Sequence, residues 1–270
     1  MLIQKNDDIN LLHTFDCGQC FRWNLEENGS YTGVVGDKVI NLAEKDNQII
    51  TNIDSENFLN EYLDLNRDYS KLKNKLNKDI VLKKAILYGS GIRILKQEPF
   101  ETLVSFIISA NNNIPRIKKI IESMSYNFGD AIEYNGRMYH TFPSAQVLSN
   151  LTEDDLAPIK SGYRAGYIID AAQKVSTGVI DLDSVFKMSP DEGRYTLKQV
   201  KGVGDKVADC VLLFAFQKYS VFPKDVWIKR ILNNLYSVDD KAFDEFVNKN
   251  FGDLGGFAQQ YLFYYGREFL

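Results

Sequence analysis

The feature of this sequence that most constrains its fold is a pair of glycines, Gly202 and Gly204, between two segments of helical pattern. The first segment begins at Ser189 and Pro190, where serine suits the N-cap and proline suits the first helical position. Glycine adopts the backbone angles of a tight turn without strain, and a second helix is predicted from about Asp205. The segment therefore predicts two helices joined by a short hairpin.

The second predicted helix carries Lys206 in its first turn and is apolar almost all round from 207 to 216, which predicts that it is buried. A cation in the first turn opposes the helix dipole, and burial further disfavours a charged amine. Both effects favour the neutral amine. The alternative is an ordinary lysine that pairs with Asp209 three residues later.

A single carboxylate follows this helix at a defined place. The stretch 221–224 is predicted to be extended because Pro223 disfavours helix in the residue before it. Apolar residues from Val226 onward then recur at helical spacing, so Asp225 is predicted to be an N-cap. A purely capping role and a chemical role both remain open, and they are compatible because a capping carboxylate is held rigidly.

These residues resemble the helix-hairpin-helix, Gly/Pro-rich loop and aspartate motif of the DNA glycosylase superfamily, through KGVGDKVADC followed by VFPKDV. Within that superfamily the chain resembles the 8-oxoguanine DNA glycosylases over most of its length. The further matching segments are CGQCFRW at 17–23, EPFETLVSFIISANNNIPRI at 98–117, GYRAGY at 162–167 and FAQQYLF at 257–263. The four matches occur in the family's order, which makes chance a poor explanation.

The resemblance implies that Lys206 is the nucleophile and that Asp225 assists it. The damaged base must leave the helix stack before its sugar bond can be reached. The neutral amine then attacks C1′ of the deoxyribose, and a fixed carboxylate stabilises the positive charge that builds on the sugar. The Schiff base that results favours β-elimination. The implied protein is therefore a bifunctional DNA glycosylase and AP lyase of base excision repair, acting on 8-oxoguanine opposite cytosine.

The resemblance also implies a pocket for the base. The carbonyl of Gly18 would accept a hydrogen bond from the N7–H that 8-oxoguanine has and guanine lacks. Gln259 would read the Watson-Crick edge, with Phe263 and Cys210 on the two faces of the base. Apart from the resemblance, Phe263 is a core aromatic, Cys210 a small buried hydrophobe and Gln259 a surface amide.

Contacts with duplex DNA are implied in the same way. Asn111, Arg116 and Arg164 match residues that hold the orphaned cytosine, whose O2 and N3 acceptors suit arginine donors. Tyr163 matches a wedge in the duplex. The backbone N–H groups of Gly202 and Gly204 in the hairpin would bind a phosphate, as helix N-termini do. The alternative is that 111–115 is only a loop and that Arg116 lies on a solvated face.

Two positions depart from the family pattern. Trp227 stands where eukaryotic members usually carry a histidine, and Gly266 stands where they usually carry an aspartate. A compensating exchange between the large residue and the missing side chain is one expectation. Trp227 is expected to pack rather than to take part in catalysis.

The organisation along the chain predicts an α+β protein. The 270 residues suffice for two domains, predicted as an N-terminal antiparallel β-sheet domain with helices at 1–91 and a helical helix-hairpin-helix glycosylase domain at 92–270. Strands are predicted at 9–15, 30–35, 38–43 and 48–53, with turns at 36–37 and 45–47. Helices are predicted at 55–63, 69–76, 80–88, 100–110, 114–128, 144–149, 152–159, 162–176 and 182–186.

The overall charge of −4 is the main feature that opposes DNA binding. The segment 198–230, however, holds seven basic and three acidic residues, a local net charge of +4. Binding to DNA is therefore expected to be modest and sensitive to salt. Acidic residues crowd other regions, including 239–245.

The remaining composition limits cofactors and location. Cys17 and Cys20 form a lone CxxC whose two ligands cannot close a zinc site, and the chain lacks the four clustered cysteines of an iron–sulfur cluster, so no cofactor or metal is predicted. No segment has the length of a membrane span, and 1–8 lacks a signal-peptide pattern. The expectation is a cytoplasmic monomer, associated with the nucleoid in a prokaryote.

Two alternative functions remain. A monofunctional alkylated-base glycosylase would have the same architecture but lacks the lysine, so Lys206 argues against it. A non-enzymatic helix-hairpin-helix protein would bind phosphates without chemistry, and Asp225 argues against it because a binding module has no need of a carboxylate facing the strand.

Overall fold

The computed structural model describes residues 2–4, 9–46 and 48–270. The N-terminal part contains a five-stranded sheet in which every neighbouring pair is antiparallel. Its strands are β1 (Leu2–Gln4), β2 (Trp23–Leu25), β3 (Tyr31–Val35), β4 (Lys38–Lys45) and β5 (Gln48–Thr51), in the order β1-β5-β4-β3-β2. The sheet therefore winds as a meander from β2 to β5, with β1 added at the far edge.

Helices make up most of the remaining chain. Those before residue 91 are α1 (Leu11–Phe15), α2 (Glu56–Tyr62), α3 (Tyr69–Leu76) and α4 (Ile80–Tyr88). Those after it are α5 (Pro99–Ser109), α6 (Ile114–Phe128), α7 (Ala145–Ser149), α8 (Arg164–Ser176), α9 (Leu182–Val185), α10 (Pro190–Leu197), α11 (Asp205–Phe214), α12 (Val226–Tyr236), α13 (Phe243–Asn250) and α14 (Gly255–Phe269). A β-hairpin, β6 (Ala131–Tyr134) and β7 (Arg137–His140), interrupts them. The predicted α+β class is confirmed.

The predicted strand at 9–15 is wrong. Asn10 caps α1 by accepting a hydrogen bond from the backbone N–H of His13, and Leu11, Thr14 and Phe15 are buried at helical spacing. The cap and the three-residue spacing outweigh the β-forming composition that favours a strand. Strands β1 and β2 have no counterpart among the predicted strands. The predicted turn at 45–47 includes Asn47, which lies outside the described residues.

Local capping explains why most helix boundaries agree with the sequence pattern. Ser55 caps α2, and Ser189 with Glu192 forms a complete capping box at α10. Helices α3, α4 and α6 occupy the predicted ranges. The helix predicted at 152–159 is instead a turn followed by one 3-10 turn, Ala157–Ile159.

Two hydrophobic cores lie beneath these elements. One fills the space under the sheet, where the ring of Trp23 stacks on Phe15 at 4.1 Å and its indole N–H donates to the Tyr62 hydroxyl at 2.9 Å. The larger core joins side chains of α3 and α4 to those of the later helices, and α4 packs against α14. The last helix is thus held against early parts of the chain. Among the described residues, no helix is both long and apolar enough to cross a bilayer.

Candidate active site

The predicted hairpin forms between α10 and α11. Gly202 has a φ of +79°, and a Cβ at this position would lie 2.3 Å from the ring of Tyr167. Gly204 is the N-cap of α11 and supplies no side chain to the helix end. The first turn of α11 therefore presents its backbone N–H groups to the cleft that Gly202 and Gly204 help to line.

Lys206 is half-buried on the first turn of α11, facing α5. Its Nζ lies 3.4 Å from the hydroxyl oxygen of Ser109 and 5.3 Å from the centre of the Phe106 ring. Asp209, the alternative partner, is instead paired with Arg194, with 2.8 Å between Oδ1 and Nε. The Lys206 amine is therefore directed toward α5 and the Cys210 thiol rather than toward Asp209.

Asp225 is the N-cap of α12, as predicted. Its Oδ1 accepts a hydrogen bond from the backbone N–H of Ile228 at 2.7 Å, and the carboxylate is half-buried. The cap fixes the side-chain orientation because both ends of the bond belong to the same rigid helical turn. No hydrogen bond from another described residue to the second carboxylate oxygen is found.

Two adjoining cavities meet at these side chains. An open cleft of about 790 Å³ runs along the hairpin, and a smaller pocket of about 330 Å³ extends from it toward α14. The two cavities share six of their lining residues, which are Ser109, Asn112, Asn113, Lys206, Asp225 and Trp227. The amine and the carboxylate therefore stand at the junction of a groove and a pocket.

The pocket walls include two of the four predicted base contacts. Gly18 and Phe263 line it together with Phe21 and Phe106. Gly18 has a φ of +81°, and a Cβ there would lie 3.1 Å from the Phe263 ring. Glycine is thus required at position 18 by its backbone angle and by the approach of the ring.

The other two predicted base contacts, Cys210 and Gln259, are buried, and neither is among the residues that line the cleft or the pocket. Burial raises the pKa of the Cys210 thiol to about 11, so this side chain is a neutral, apolar surface at physiological pH. The Oε1 atom of Gln259 is buried without a hydrogen-bond partner among the described residues. An unsatisfied buried amide oxygen is costly unless a ligand completes it.

The predicted opposite-base residues fall into two groups. Asn111 and Arg116 line the cleft, and Asn111 adopts a left-handed φ of +50°. Arg164 is only 4% exposed, and its guanidinium donates to the carbonyl oxygens of Ala110 and Asn111. Tyr163 is exposed, with the Arg164 guanidinium 4.5 Å from the centre of its ring. The structure thus places Arg164 behind the loop that carries Asn111, where it holds the backbone.

Ile231 occupies the space beside Gly266, and a compensating exchange between Gly266 and Trp227 stays a prediction. The side chain nearest to the position of a Cβ at Gly266 is that of Ile231, at 2.4 Å. Trp227 instead faces both cavities from the first turn of α12 and is 47% exposed. A half-exposed tryptophan at this place is not explained by packing.

The basic character predicted for 198–230 is reduced by acidic neighbours. Lys229 pairs with Asp240 at 2.7 Å, and Lys224 lies 3.6 Å from Asp244. Both acids belong to the acidic stretch 239–245, which was expected to lie away from the basic segment. Sequence spacing does not predict these pairs because they depend on how the segment after α12 folds back toward it.

Two glutamines that support the pocket were missed by the sequence reasoning. The side-chain amide of Gln260 donates to the carbonyl oxygen of Cys17 at 2.6 Å, which ties α14 to the loop of Gly18. The amide of Gln19 donates to the Arg93 carbonyl at 2.7 Å and accepts from the Leu95 backbone at 2.9 Å. Gln19 lies in the motif CGQCFRW and Gln260 in the motif FAQQYLF, so their place in these motifs could have indicated a role at the site.

Comparison with known proteins agrees with this geometry. Residues 1–103 match the family model for the N-terminal domain of 8-oxoguanine DNA glycosylase, and residues 104–254 match the model for HhH-GPD superfamily base excision DNA repair proteins. The N-glycosylase/DNA lyase of Saccharomyces cerevisiae is 35% identical over 266 residues, covering 87% of this chain and 70% of that protein. A probable N-glycosylase/DNA lyase of Methanothermobacter thermautotrophicus is 34% identical over 66% of this chain, and the match spans 64% of that protein.

A solved structure is also similar over nearly the whole chain. The 8-oxoguanine glycosylase/lyase of Clostridium acetobutylicum, in complex with double-stranded DNA containing cytosine opposite 8-oxoguanine, is 43% identical with a TM-score of 0.93. The match covers 99% of this chain and 98% of the other. The chain therefore belongs to the 8-oxoguanine DNA glycosylase family, within the HhH-GPD superfamily of base excision DNA repair proteins.

Proposed function

We propose that this protein is a bifunctional 8-oxoguanine DNA glycosylase and AP lyase that acts on double-stranded DNA in base excision repair. The observation that carries the proposal is the position of Lys206 and Asp225 at the junction of an open cleft and a smaller pocket that adjoins it. A groove for the strand, a pocket for the base and a nucleophile between them are the parts that excision of an extruded base requires.

In the proposed reaction the neutral amine of Lys206 attacks C1′ of the extruded nucleotide. The bond between C1′ and N9 breaks, and the base leaves with the electron pair and takes up a proton. The carboxylate of Asp225 stabilises the positive charge that develops on the sugar. The amine then loses a proton and the sugar ring opens to give a Schiff base between Nζ and C1′. Loss of a proton from C2′ expels the 3′ phosphate and nicks the strand.

The pocket residues would select the oxidised base. We assign the Gly18 carbonyl to the N7–H of 8-oxoguanine, because a guanine without that proton would leave a carbonyl facing a lone pair. Gln259 offers the Watson-Crick edge a buried oxygen that no other described residue engages. Phe263 and the neutral thiol of Cys210 would cover the two faces of the base.

The cleft would hold the duplex and the orphaned cytosine. Asn111 and Arg116 have access to it, and Tyr163 is exposed enough to enter a base stack. Arg164 can reach the cytosine only if its bonds to the backbone at 110–111 are exchanged for bonds to DNA. We further propose that the protein acts as a monomer and is cytoplasmic, associated with the nucleoid in a prokaryote.

Borohydride trapping tests the proposal directly, because the reagent reduces the Schiff base to a stable amine. Wild-type protein should form a covalent complex with duplex DNA that carries 8-oxoguanine opposite cytosine. Lys206→Gln should abolish trapping while retaining affinity for the same duplex, because the side chain stays polar and of similar length but loses its nucleophilicity.

The matched control is Lys224→Gln, which removes another lysine that lines the cleft. This variant should trap with a yield near that of wild type. Undiminished trapping by Lys206→Gln would reassign the nucleophile, and wild-type protein that traps equally well on an undamaged duplex would contradict the proposed substrate.

A further inference from the structure

Trp227 is an exposed aromatic residue whose position neither packing nor capping explains. The chain has two tryptophans. Trp23 is 2% exposed in the core under the sheet, whereas Trp227 is 47% exposed beside Lys206 and Asp225. Covering apolar surface gains about 25 cal/mol for each square ångström removed from water, so an indole that lines both cavities offers their occupant a large apolar contact.

The backbone at Trp227 is rigid. Asp225 caps the helix, and the backbone N–H that donates to this cap belongs to Ile228, which is fully buried. The Arg230 guanidinium lies 5.7 Å from the centre of the Trp227 ring, one turn later on the same helix. The indole therefore projects from a rigid helical turn toward both cavities, and its exposed surface does not pack against the hydrophobic core.

The junction of the two cavities indicates which part of a nucleotide this indole meets. The base occupies the pocket in the proposed reaction, and the phosphates stay in the cleft, so the sugar must lie at the shared boundary where Lys206 reaches C1′. Among the six described residues that both cavities share, Trp227 is the aromatic one. The carbon face of a deoxyribose is apolar enough to pack on an indole, because the contact removes apolar surface of both groups from water.

We propose that Trp227 is a substrate-binding residue whose indole covers the deoxyribose of the extruded nucleotide at the boundary of cleft and pocket. The proposal rests on the proposed function, since it needs a nucleotide to be extruded. It differs from the expectation that Trp227 only packs. Its contact is with the sugar, so it predicts an effect on any extruded nucleotide, with or without a base.

A duplex with a tetrahydrofuran abasic-site analogue opposite cytosine separates a sugar contact from a base contact, because it retains the sugar ring and lacks the base. Trp227→Ala should weaken binding to this duplex and to the 8-oxoguanine duplex by a similar factor of about tenfold. Phe263→Ala, which removes a predicted base contact, should weaken only the 8-oxoguanine duplex. Phe269→Ala removes another half-exposed aromatic, outside both cavities, and should bind like wild type.

Tryptophan emission supplies a readout that does not depend on stability. Adding the tetrahydrofuran duplex should change the emission of wild-type protein, and the change should vanish in Trp227→Phe, whose remaining Trp23 is buried. Wild-type affinity of Trp227→Ala for the abasic duplex, or an unchanged wild-type emission, would overturn the proposal. Wild-type protein that fails to prefer either lesion duplex over undamaged DNA would instead contradict the proposed function.

Discussion

At the scale of single residues, Asp225 combines a helix cap with a proposed catalytic carboxylate, and substitution can separate the two. Asparagine caps a helix about as well as aspartate, so Asp225→Asn should keep the bond to the Ile228 N–H while losing the negative charge. We expect its single-turnover rate of 8-oxoguanine release to fall on the order of 100-fold, with a melting temperature close to that of wild type. A glycosylase assay and a thermal unfolding curve measure the two quantities.

The companion variant Asp225→Ala loses both the charge and the cap. It should show a similar loss of rate and, in addition, a free energy of unfolding lower by about 1 kcal/mol. If Asp225→Asn released the base at the wild-type rate, Asp225 would be a structural cap alone.

The two arginines proposed for the orphaned cytosine should respond differently to substitution. Arg116 is exposed, so Arg116→Ala should relax the preference for cytosine over the other opposite bases without a change in stability. Arg164 is buried on the carbonyls of Ala110 and Asn111. Arg164→Ala should therefore also lower the free energy of unfolding by about 2 kcal/mol, because it leaves buried carbonyls unpaired.

Excision rates opposite each of the four bases, measured with urea unfolding of the same preparations, test this distinction. Unchanged opposite-base ratios in both variants would remove the arginines from cytosine recognition. A loss of stability in Arg116→Ala would contradict its assignment to the cleft surface.

At the scale of elements, three helices begin at the cleft, and their N-terminal ends affect the electrostatic potential there. Asn113, Gly204 and Asp225 are the N-caps of α6, α11 and α12, and all three line the cleft. The N-terminus of each helix carries a partial positive charge. The uncharged caps Asn113 and Gly204 leave two positive helix ends at the cleft, which offset the loss of positive charge where Lys224 and Lys229 pair with acids, whereas the Asp225 carboxylate neutralises the third end.

The hairpin offers a matched pair of glycine substitutions. Gly202→Ala should lower the free energy of unfolding by about 2 kcal/mol and weaken DNA binding, because alanine is strained at a φ of +79° and its Cβ would meet Tyr167. Gly204 has an ordinary φ of −96°, and a Cβ added there would have no described atom within 4 Å. Gly204→Ala should therefore unfold like wild type.

Urea unfolding and titration with duplex DNA measure the two effects. Equal stability of the two variants would show that the turn at Gly202 rearranges at little cost, and the hairpin would then not be a fixed phosphate-binding turn.

At the scale of the whole molecule, the pocket beside Lys206 is closed by residues from distant parts of the chain. Gln260 of α14 donates to the carbonyl oxygen of Cys17 across 243 positions of sequence. Arg267 of the same helix pairs with Asp16 at 2.7 Å. These contacts hold the Gly18 loop against Phe263, so the wall of the pocket depends on the packing of α14 against the N-terminal part.

Gln260→Leu tests this connection. It should lower the free energy of unfolding by about 2 kcal/mol, because the buried Cys17 carbonyl loses its donor, and it should reduce the preference for 8-oxoguanine over guanine because the Gly18 loop is less well held. The neighbouring Gln259→Leu is the control: it should reduce lesion affinity with little loss of stability, since its Oε1 has no partner in the described part of the chain. If Gln260→Leu kept the wild-type stability and selectivity, the hydrogen bond from α14 to the Cys17 carbonyl would not be needed to form the pocket.

The sequence determined the local features of this protein. The ranges of α3, α4 and α6 agree with the pattern of apolar residues and caps, because a helix is specified by residues within a few positions of each other. Lys206 at the start of α11 and Asp225 at the cap of α12 are predictable for the same reason. One exception is α1, where the composition favours a strand and the cap at Asn10 produces a short helix, and another is 152–159, where only one 3-10 turn replaces the predicted helix.

Only the tertiary structure decided which distant groups meet. It paired Asp209 with Arg194, placed Arg164 behind the loop of Asn111, and turned Trp227 toward the junction of cleft and pocket. Each of these outcomes depends on how separate elements pack in space. Spacing along the chain reports which residues share a helix face, whereas the partner across an interface is set by the burial of many side chains at once.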